Sequence, residues 1–415
     1  MYRFRMWAAA WWLGLAAAAG GQAPKSQTDL GQALIAARHS ISVGPNGLAG
    51  EGAALLGRAV GEARYVAIGE DHFTREIPVF ASAICDLMGP QGLAAYVVEA
   101  GPVATDAIAP MLTAPDRAAR IAAFAKAYPN AVAFLDGADE NDTAAHCAKA
   151  AGAVPYHLIG IDQEFLGAGG FLLDEILKSG LSATARRLVT ELRDEDRKGS
   201  AAAAKDGNPG GLLIPSAAED SLARVEAALR TGGDVRARRL FGELKASHEI
   251  YALDARGSPE ANGERARMMK RHLAERLPAR GKVLLKFGDW HLYKGVNPLE
   301  QRDIGNFIAE RAEGEGARSL HILVLAARGS HGQFAGYARQ AKAQSFVMSQ
   351  DKDYRWFGLA VDRMGAQGWT LFDLRTLRHR RLEGMDADWR RVIDGYDLML
   401  VIPEASASKL IGYTG

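Results

Sequence analysis

Seven short apolar runs, most of them separated by stretches of helical spacing, limit the folds open to this chain more than any other feature. They are Tyr65–Gly69, Ala95–Glu99, His157–Ile161, Val283–Phe287, His321–Leu325, Thr370–Leu374 and Leu398–Ile402. Their apolar residues are mostly consecutive rather than alternating, as in strands covered on both faces. Alternation of such strands with helices predicts an α/β fold with a mostly parallel central sheet flanked by helices. From 170 to 277 the alternation stops and helix follows helix. This section reads as a helical insertion capping the carboxyl ends of the strands. It divides the α/β domain into a first part, 24–169, and a second part, 278–415. Within the insertion, 196–213 contains an alanine run, Asn208-Pro209 and Gly210-Gly211, and is expected to be a flexible loop or lid. Leu30 to Val60, rich in small residues, is expected to be helix and loop.

The amino terminus has a different composition. Arg3 and Arg5 precede an apolar stretch from Met6 to Ala19, and Gly20, Gly21 and Ala23 follow as small residues. This is the pattern of a cleaved secretory signal over 1–23, which places the protein in the periplasm or outside the cell. An uncleaved anchor is the competing expectation. No later segment has the length of apolar sequence needed for a span, so no stable membrane span is expected after cleavage. Fifty basic and 49 acidic residues give a formal charge of +1, which disfavours a nucleic-acid partner. Two cysteines, Cys85 and Cys147, either join in the oxidising compartment or stay as buried thiols.

Two strands end alike. Tyr65-Val66-Ala67-Ile68 runs into Gly69-Glu70-Asp71-His72, and Val283-Leu284-Leu285-Lys286-Phe287 runs into Gly288-Asp289-Trp290-His291. Ligands of parallel sheets gather just beyond the carboxyl ends of strands, so two histidines delivered there can face one site. The glycines permit a sharp turn and a close approach by another group. Tyr96-Val97-Val98 ends in Glu99, a carboxylate that burial obliges to be paired or protonated. Leu158-Ile159-Gly160-Ile161 ends in Asp162. Arg265 shares a helix face with Met269 and Leu273, and a cation in an apolar stripe calls for an anion such as Glu70 or Glu99. A nucleophile-elbow Gly-x-Ser-x-Gly, a zinc-protease His-Glu-x-x-His and a P-loop are all missing from the sequence.

Two histidines, two glutamates and an arginine suit the activation of water. His72 would be the general base, with Glu70 or Glu99 holding its tautomer and raising its basicity. Arg265 or His291 would stabilise an oxyanion. Imidazole and carboxylate also suit a divalent metal, with His72, His291 and Glu99 as the ligand set.

Taken in order along the chain, these motifs resemble the superfamily of erythromycin esterases, ChaN-like haem-uptake proteins and Tiki-type metalloproteases. The likeness rests on Gly69-Glu70-Asp71-His72, Glu99, Gly160-Ile161-Asp162, Arg265 with Met269, and Gly288-Asp289-Trp290-His291. His72-Phe73-Thr74-Arg75-Glu76 is similar to the esterase run in which a glutamate follows the histidine by four, and Tyr396 to Glu404 looks like the closing strand of that branch. The Glu-x-His spacing at Glu70 and His72 is closer to the ChaN-like branch. The resemblance implies an α/β fold with a helical subdomain and a histidine base that opens a lactone without a required metal. It implies His72 as base and Glu70, Glu76 and Glu99 as supporting acids. Arg265 and His291 are implied as substrate or oxyanion partners; Glu76, Asp162 and Arg75 are the substrate-binding candidates. The expectation is therefore an exported hydrolase of a small-molecule ester or lactone that requires no cofactor. The alternatives are a haem-binding protein with Tyr293 or His291 as axial ligand, or a hydrolase dependent on a divalent metal.

Overall fold

The computed structural model describes residues 29–44, 47–366 and 368–413. The expected signal over 1–23 lies outside the described residues. Ten strands form one sheet: β1 (Arg38–Gly44), β2 (Gly47–Ala49), β3 (Tyr65–Glu70), β4 (Leu93–Val98), β5 (His157–Gly160), β6 (Lys282–Gly288), β7 (Ser319–Gln333), β8 (Lys342–Val347), β9 (Trp369–Asp373) and β10 (Leu398–Ala405). Their order is β2-β1-β9-β10-β7-β3-β6-β4-β5, with β8 paired to β7. β10, β7, β3, β6, β4 and β5 are mutually parallel, and β9, β1, β2 and β8 add antiparallel pairs at the margins. All seven apolar runs of the sequence lie on strands of this sheet. Strands before and after the helical insertion interleave, since β6 sits between β3 and β4.

Both faces of the parallel strands are covered. On β3, Val66 and Ile68 pack with Ile77, Phe80 and Ile84 of the helix Glu76–Met88 on one side. Tyr65 and Ala67 join Leu30, Leu34, Leu273, Ile304 and Ile308 on the other. Burying each large apolar side chain contributes roughly 1.5–3 kcal/mol, which explains why consecutive apolar residues mark these strands. The Cys85 and Cys147 sulfurs are bonded, with Cα atoms 5.1 Å apart, and tie Glu76–Met88 to the helix Ala138–Ala151. Among the described residues no helix is long and apolar enough to cross a membrane.

From Gly169 to Arg276 the chain is helical, and its last helix, Glu260–Arg276, returns to the strand ends. Two segments differ from expectation. The helix Ala183–Asp206 runs through the first half of the stretch read as a loop. Alanine is the strongest helix former, so Ala201 to Ala204 extend the helix. Asp196 is buried and held by Arg193 at 2.8 Å, and the helix stops at Gly207, which adopts φ of 81°. Only Asn208 to Gly211 behave as punctuation, in a short 3-10 turn. The other segment, Leu30 to Val60, contains β1 and β2 between two helices. Ile41 is the one buried residue of β1, and a partly exposed marginal strand leaves little apolar signal.

Candidate active site

β4, β6 and β3 lie side by side, and the pairing register sets Glu70 opposite Gly288. Both Gly-x-x-His loops therefore leave the sheet at one level, next to Glu99 at the end of β4. His72 hydrogen-bonds through Nδ1 to Glu70 Oε1 at 3.0 Å, and its Nε2 lies 3.3 Å from Glu99 Oε2. His291 hydrogen-bonds through Nδ1 to Asp303 at 2.8 Å, and its Nε2 lies 3.4 Å from Glu99 Oε1. Arg265 donates to Glu99 at 2.6 Å and to both oxygens of Asp162 at 2.9 and 2.6 Å. The backbone N–H of Gly288 donates to Glu99 at 2.7 Å. One carboxylate thus joins the two imidazoles, the guanidinium and a main-chain amide.

The glycines are explained by what crowds them. A β-carbon on Gly288 would lie 2.9 Å from His72 Nε2 and 3.5 Å from Glu99. On Gly69 it would run into the Tyr396 hydroxyl, which donates to the Asp289 carbonyl at 2.5 Å. Removing the side chain is what allows imidazole, carboxylate and tyrosine to meet at this point.

A second charged group lies beneath His72. Lys286, in the middle of β6, is buried and donates to Glu70 at 2.5 Å and to Glu140 at 2.6 Å. Burial opposes the charge on Glu70, but Lys286 and His72 outweigh it and lower its pKa. Burial pushes Glu140 up to about 7 despite Lys286. Glu99 also resists burial, and the two histidines hold it well below the usual carboxylate range. Burial opposes protonation of His72, yet Glu99 and Glu70 together push its pKa up to about 10. His291 follows the same logic and is pushed up to about 9, with Arg265 opposing Glu99. Glu99 and Glu70 thus favour the protonated form of His72, and Glu99 with Asp303 favours that of His291.

His72 opens onto a cavity of about 440 Å³. Its ring stacks on Phe134 with centroids 4.2 Å apart, and its side chain is 28% exposed, against 9% for His291. Phe73, Phe134, Phe165, Phe334 and Leu410 supply apolar wall, while Asp71, His72, Asp136 and His331 are the titratable groups. Phe73 and Phe134 have φ of 60° and 61°, a left-handed backbone that is costly for a bulky residue and is held here against the cavity. Burial pushes Asp136 up to about 7.

The structure brings His72, Glu70, Glu99, His291, Arg265 and Asp162 into one cluster, with His72 alone of these lining the cavity. Arg265 and His291 are committed to carboxylates behind it, and Arg265 engages both oxygens of Asp162. Glu76 lies elsewhere: its oxygens accept from the backbone and hydroxyl of Ser406 at 2.8 and 2.6 Å, at the helix start beside β10. Arg75 is exposed and pairs with Asp139 at 3.5 Å. Lys286, Glu140, Asp303 and His331 were not anticipated from the sequence. Lys286 had a visible signal, a lysine in the centre of a buried apolar run. Asp303 follows a turn and His331 lies on the extension of β7, and neither has a local pattern that marks it.

A carboxylate holds Nδ1 of each histidine and leaves Nε2 as the ring nitrogen a metal ion would take, while Glu99, which faces both Nε2 atoms, already accepts from a guanidinium and a backbone amide. Among the described residues no group of three or more His, Cys, Asp or Glu is arranged to hold one. Tyr293 and His291, the expected axial ligands for haem, are both buried.

No family model matches the chain, and neither does any curated protein. Solved structures do share its fold. A mutant of erythromycin esterase EreC in its open conformation aligns with TM-score 0.57 at 15% identity, over 89% of this chain and 98% of that one. A succinoglycan biosynthesis protein aligns with TM-score 0.56 at 13% identity, over 91% and 97%. A Bacillus cereus protein aligns with TM-score 0.54 at 16% identity, over 92% and 98%. The chain therefore has the α/β architecture found in an erythromycin esterase, as its motifs imply. At these identities the likeness is one of fold.

Proposed function

We propose that this protein is a hydrolase of small carboxylic esters or lactones in which His72 activates water. One observation carries the reading: Glu99 gathers His72, His291 and Arg265 at the strand ends, and His72 presents its ring to an apolar cavity. In the neutral ring Glu70 anchors Nδ1–H, and Nε2, which faces Glu99 at 3.3 Å, takes the proton of a water entering from the cavity. Glu99, fixed by Arg265 and Gly288, stabilises the imidazolium that forms. His291, Asp303 and Asp162 keep that carboxylate in place. General-base assistance of this kind contributes about 10²–10⁴-fold in rate. The apolar wall suits an uncharged acyl or alkyl group. No step in this reading uses a metal or haem.

We further propose that the protein acts outside the cytoplasm. The Cys85–Cys147 bond supports this, since such bonds persist in oxidising compartments, and so does the basic-then-apolar amino terminus.

The test is turnover of p-nitrophenyl and phenyl esters of short acids by the purified protein, beside His72→Asn. The reading expects wild-type hydrolysis and a loss of about 10³-fold in kcat/KM in the variant. Equal rates in both proteins would overturn it.

A further inference from the structure

The hydrolase reading leaves one role vacant. Ester cleavage needs a proton for the departing alkoxide, and Arg265 and His291, expected as oxyanion partners, sit behind Glu99 and do not line the cavity. Of the side chains that do line it, only His72 and His331 can carry a positive charge.

His331 is built for such a role. It lies where β7 continues past the sheet and pairs with β8. Its Nδ1 hydrogen-bonds to Asp71 Oδ2 at 2.9 Å, and its ring stacks on Phe346 with centroids 5.0 Å apart. Its Nε2 has no hydrogen-bond partner among the described residues. A carboxylate on one ring nitrogen fixes the ring and favours the protonated form. The hydrogen bond to Asp71 indeed raises the pKa of His331. The two histidines are also tied together through the backbone. Asp71 precedes His72, and the N–H of Gly332 donates to the carbonyl of Phe73 at 3.0 Å. The segment bearing His331 is therefore clamped to the loop bearing His72 from both sides.

Building on the hydrolase reading, we propose that His331, positioned by Asp71, is the general acid that protonates the leaving alcohol. Water adds to the carbonyl carbon and its proton passes to His72. The tetrahedral adduct then collapses, the C–O bond to the alcohol breaks, and the His331 proton moves to the departing oxygen. The products are a carboxylic acid and an alcohol. His72 holds one more proton and His331 one fewer, and exchange with solvent restores both.

The experiment is a leaving-group series on one acid, from p-nitrophenyl through phenyl to ethyl ester, with wild type, His331→Gln and Asp71→Asn. An acid catalyst matters most where the leaving group is poor. We expect His331→Gln to lose about 100-fold in kcat/KM on the ethyl ester and about 3-fold or less on the p-nitrophenyl ester. Asp71→Asn, which keeps the side-chain shape, should show the same slope more weakly. A loss equal across the series, or no loss, in variants that melt as wild type would overturn the assignment while leaving the hydrolase reading intact. A wild type inert towards every ester would overturn both.

Discussion

The two Gly-x-x-His loops are alike in sequence and differ in surroundings. His291 is enclosed, its two nitrogens facing Asp303 and Glu99. His72 has carboxylates at both nitrogens too, but its ring face lies on Phe134 at the mouth of a cavity. The same motif therefore produces one imidazole that can meet a substrate and one that holds Glu99. The difference arises from the neighbours. Phe73, Phe134 and the extension of β7 frame His72, whereas the 3-10 turn Asp289–Leu292 places His291 beneath the helix Ile304–Gly314.

The comparison is broken most severely by exchanging the loss of one histidine for the other. If their roles differ as described, His72→Asn should cost about 10³-fold in kcat/KM for a phenyl ester and His291→Asn about 10-fold. Steady-state kinetics on both variants checks this, and equal losses would mean that the loops act alike. A large effect on stability is expected at Lys286. Lys286→Met strands two buried carboxylates, and breaking such a group typically costs about 3–5 kcal/mol. Urea denaturation at pH 7 should show that loss, and Glu140→Gln should lose less because Glu140 lies near its neutral form. Gly288→Ala tests the close approach. Its methyl group would press on His72 Nε2 and should lower kcat/KM by about 10-fold with little change in melting temperature, as read by paired kinetics and calorimetry.

The smallest effects concern pH. A base must be neutral, so with a pKa pushed up to about 10 the competent fraction of His72 grows with pH. Ester turnover should climb from neutrality towards alkaline pH. Glu70→Gln removes a charge that favours the imidazolium and should move the climb to lower pH. Stability follows the opposite sign. His72 and His291 have folded pKa values raised above the ordinary 6.5. Their contribution is complete below 6.5 and is lost as pH rises through about 9 to 10. Melting temperature should therefore fall between pH 7 and 10, and fall less in His72→Asn.

Much of this is legible in the sequence. Consecutive apolar residues marked every central strand, because burial on both faces leaves that trace. The repeated glycine-to-histidine ending and the acids at Glu99 and Asp162 named the cluster, because parallel strands deliver their last residues to one place. What escaped had non-local causes. Glu76 follows His72 closely in sequence, yet the helix that begins there turns it towards Ser406 and away from the cluster. His331 reaches the cavity only because β7 outruns the sheet and pairs with β8, a length set by tertiary contact. Arg265 finds a carboxylate, as its place in an apolar stripe requires, but its helix directs it to Asp162 and Glu99 together, behind the ring that faces the cavity. The alanine run at 201–204 has the composition of a linker but the conformational preference of a helix, and the helix wins.

The most direct measurement is an NMR titration of the two imidazoles in wild type and in Glu99→Gln. If one carboxylate joins both rings, His72 and His291 titrate well above 6.5 in wild type, near 10 and 9, and both fall together when Glu99 loses its charge. Ordinary titration near 6.5 in wild type, or a shift in one ring alone, would contradict a shared centre.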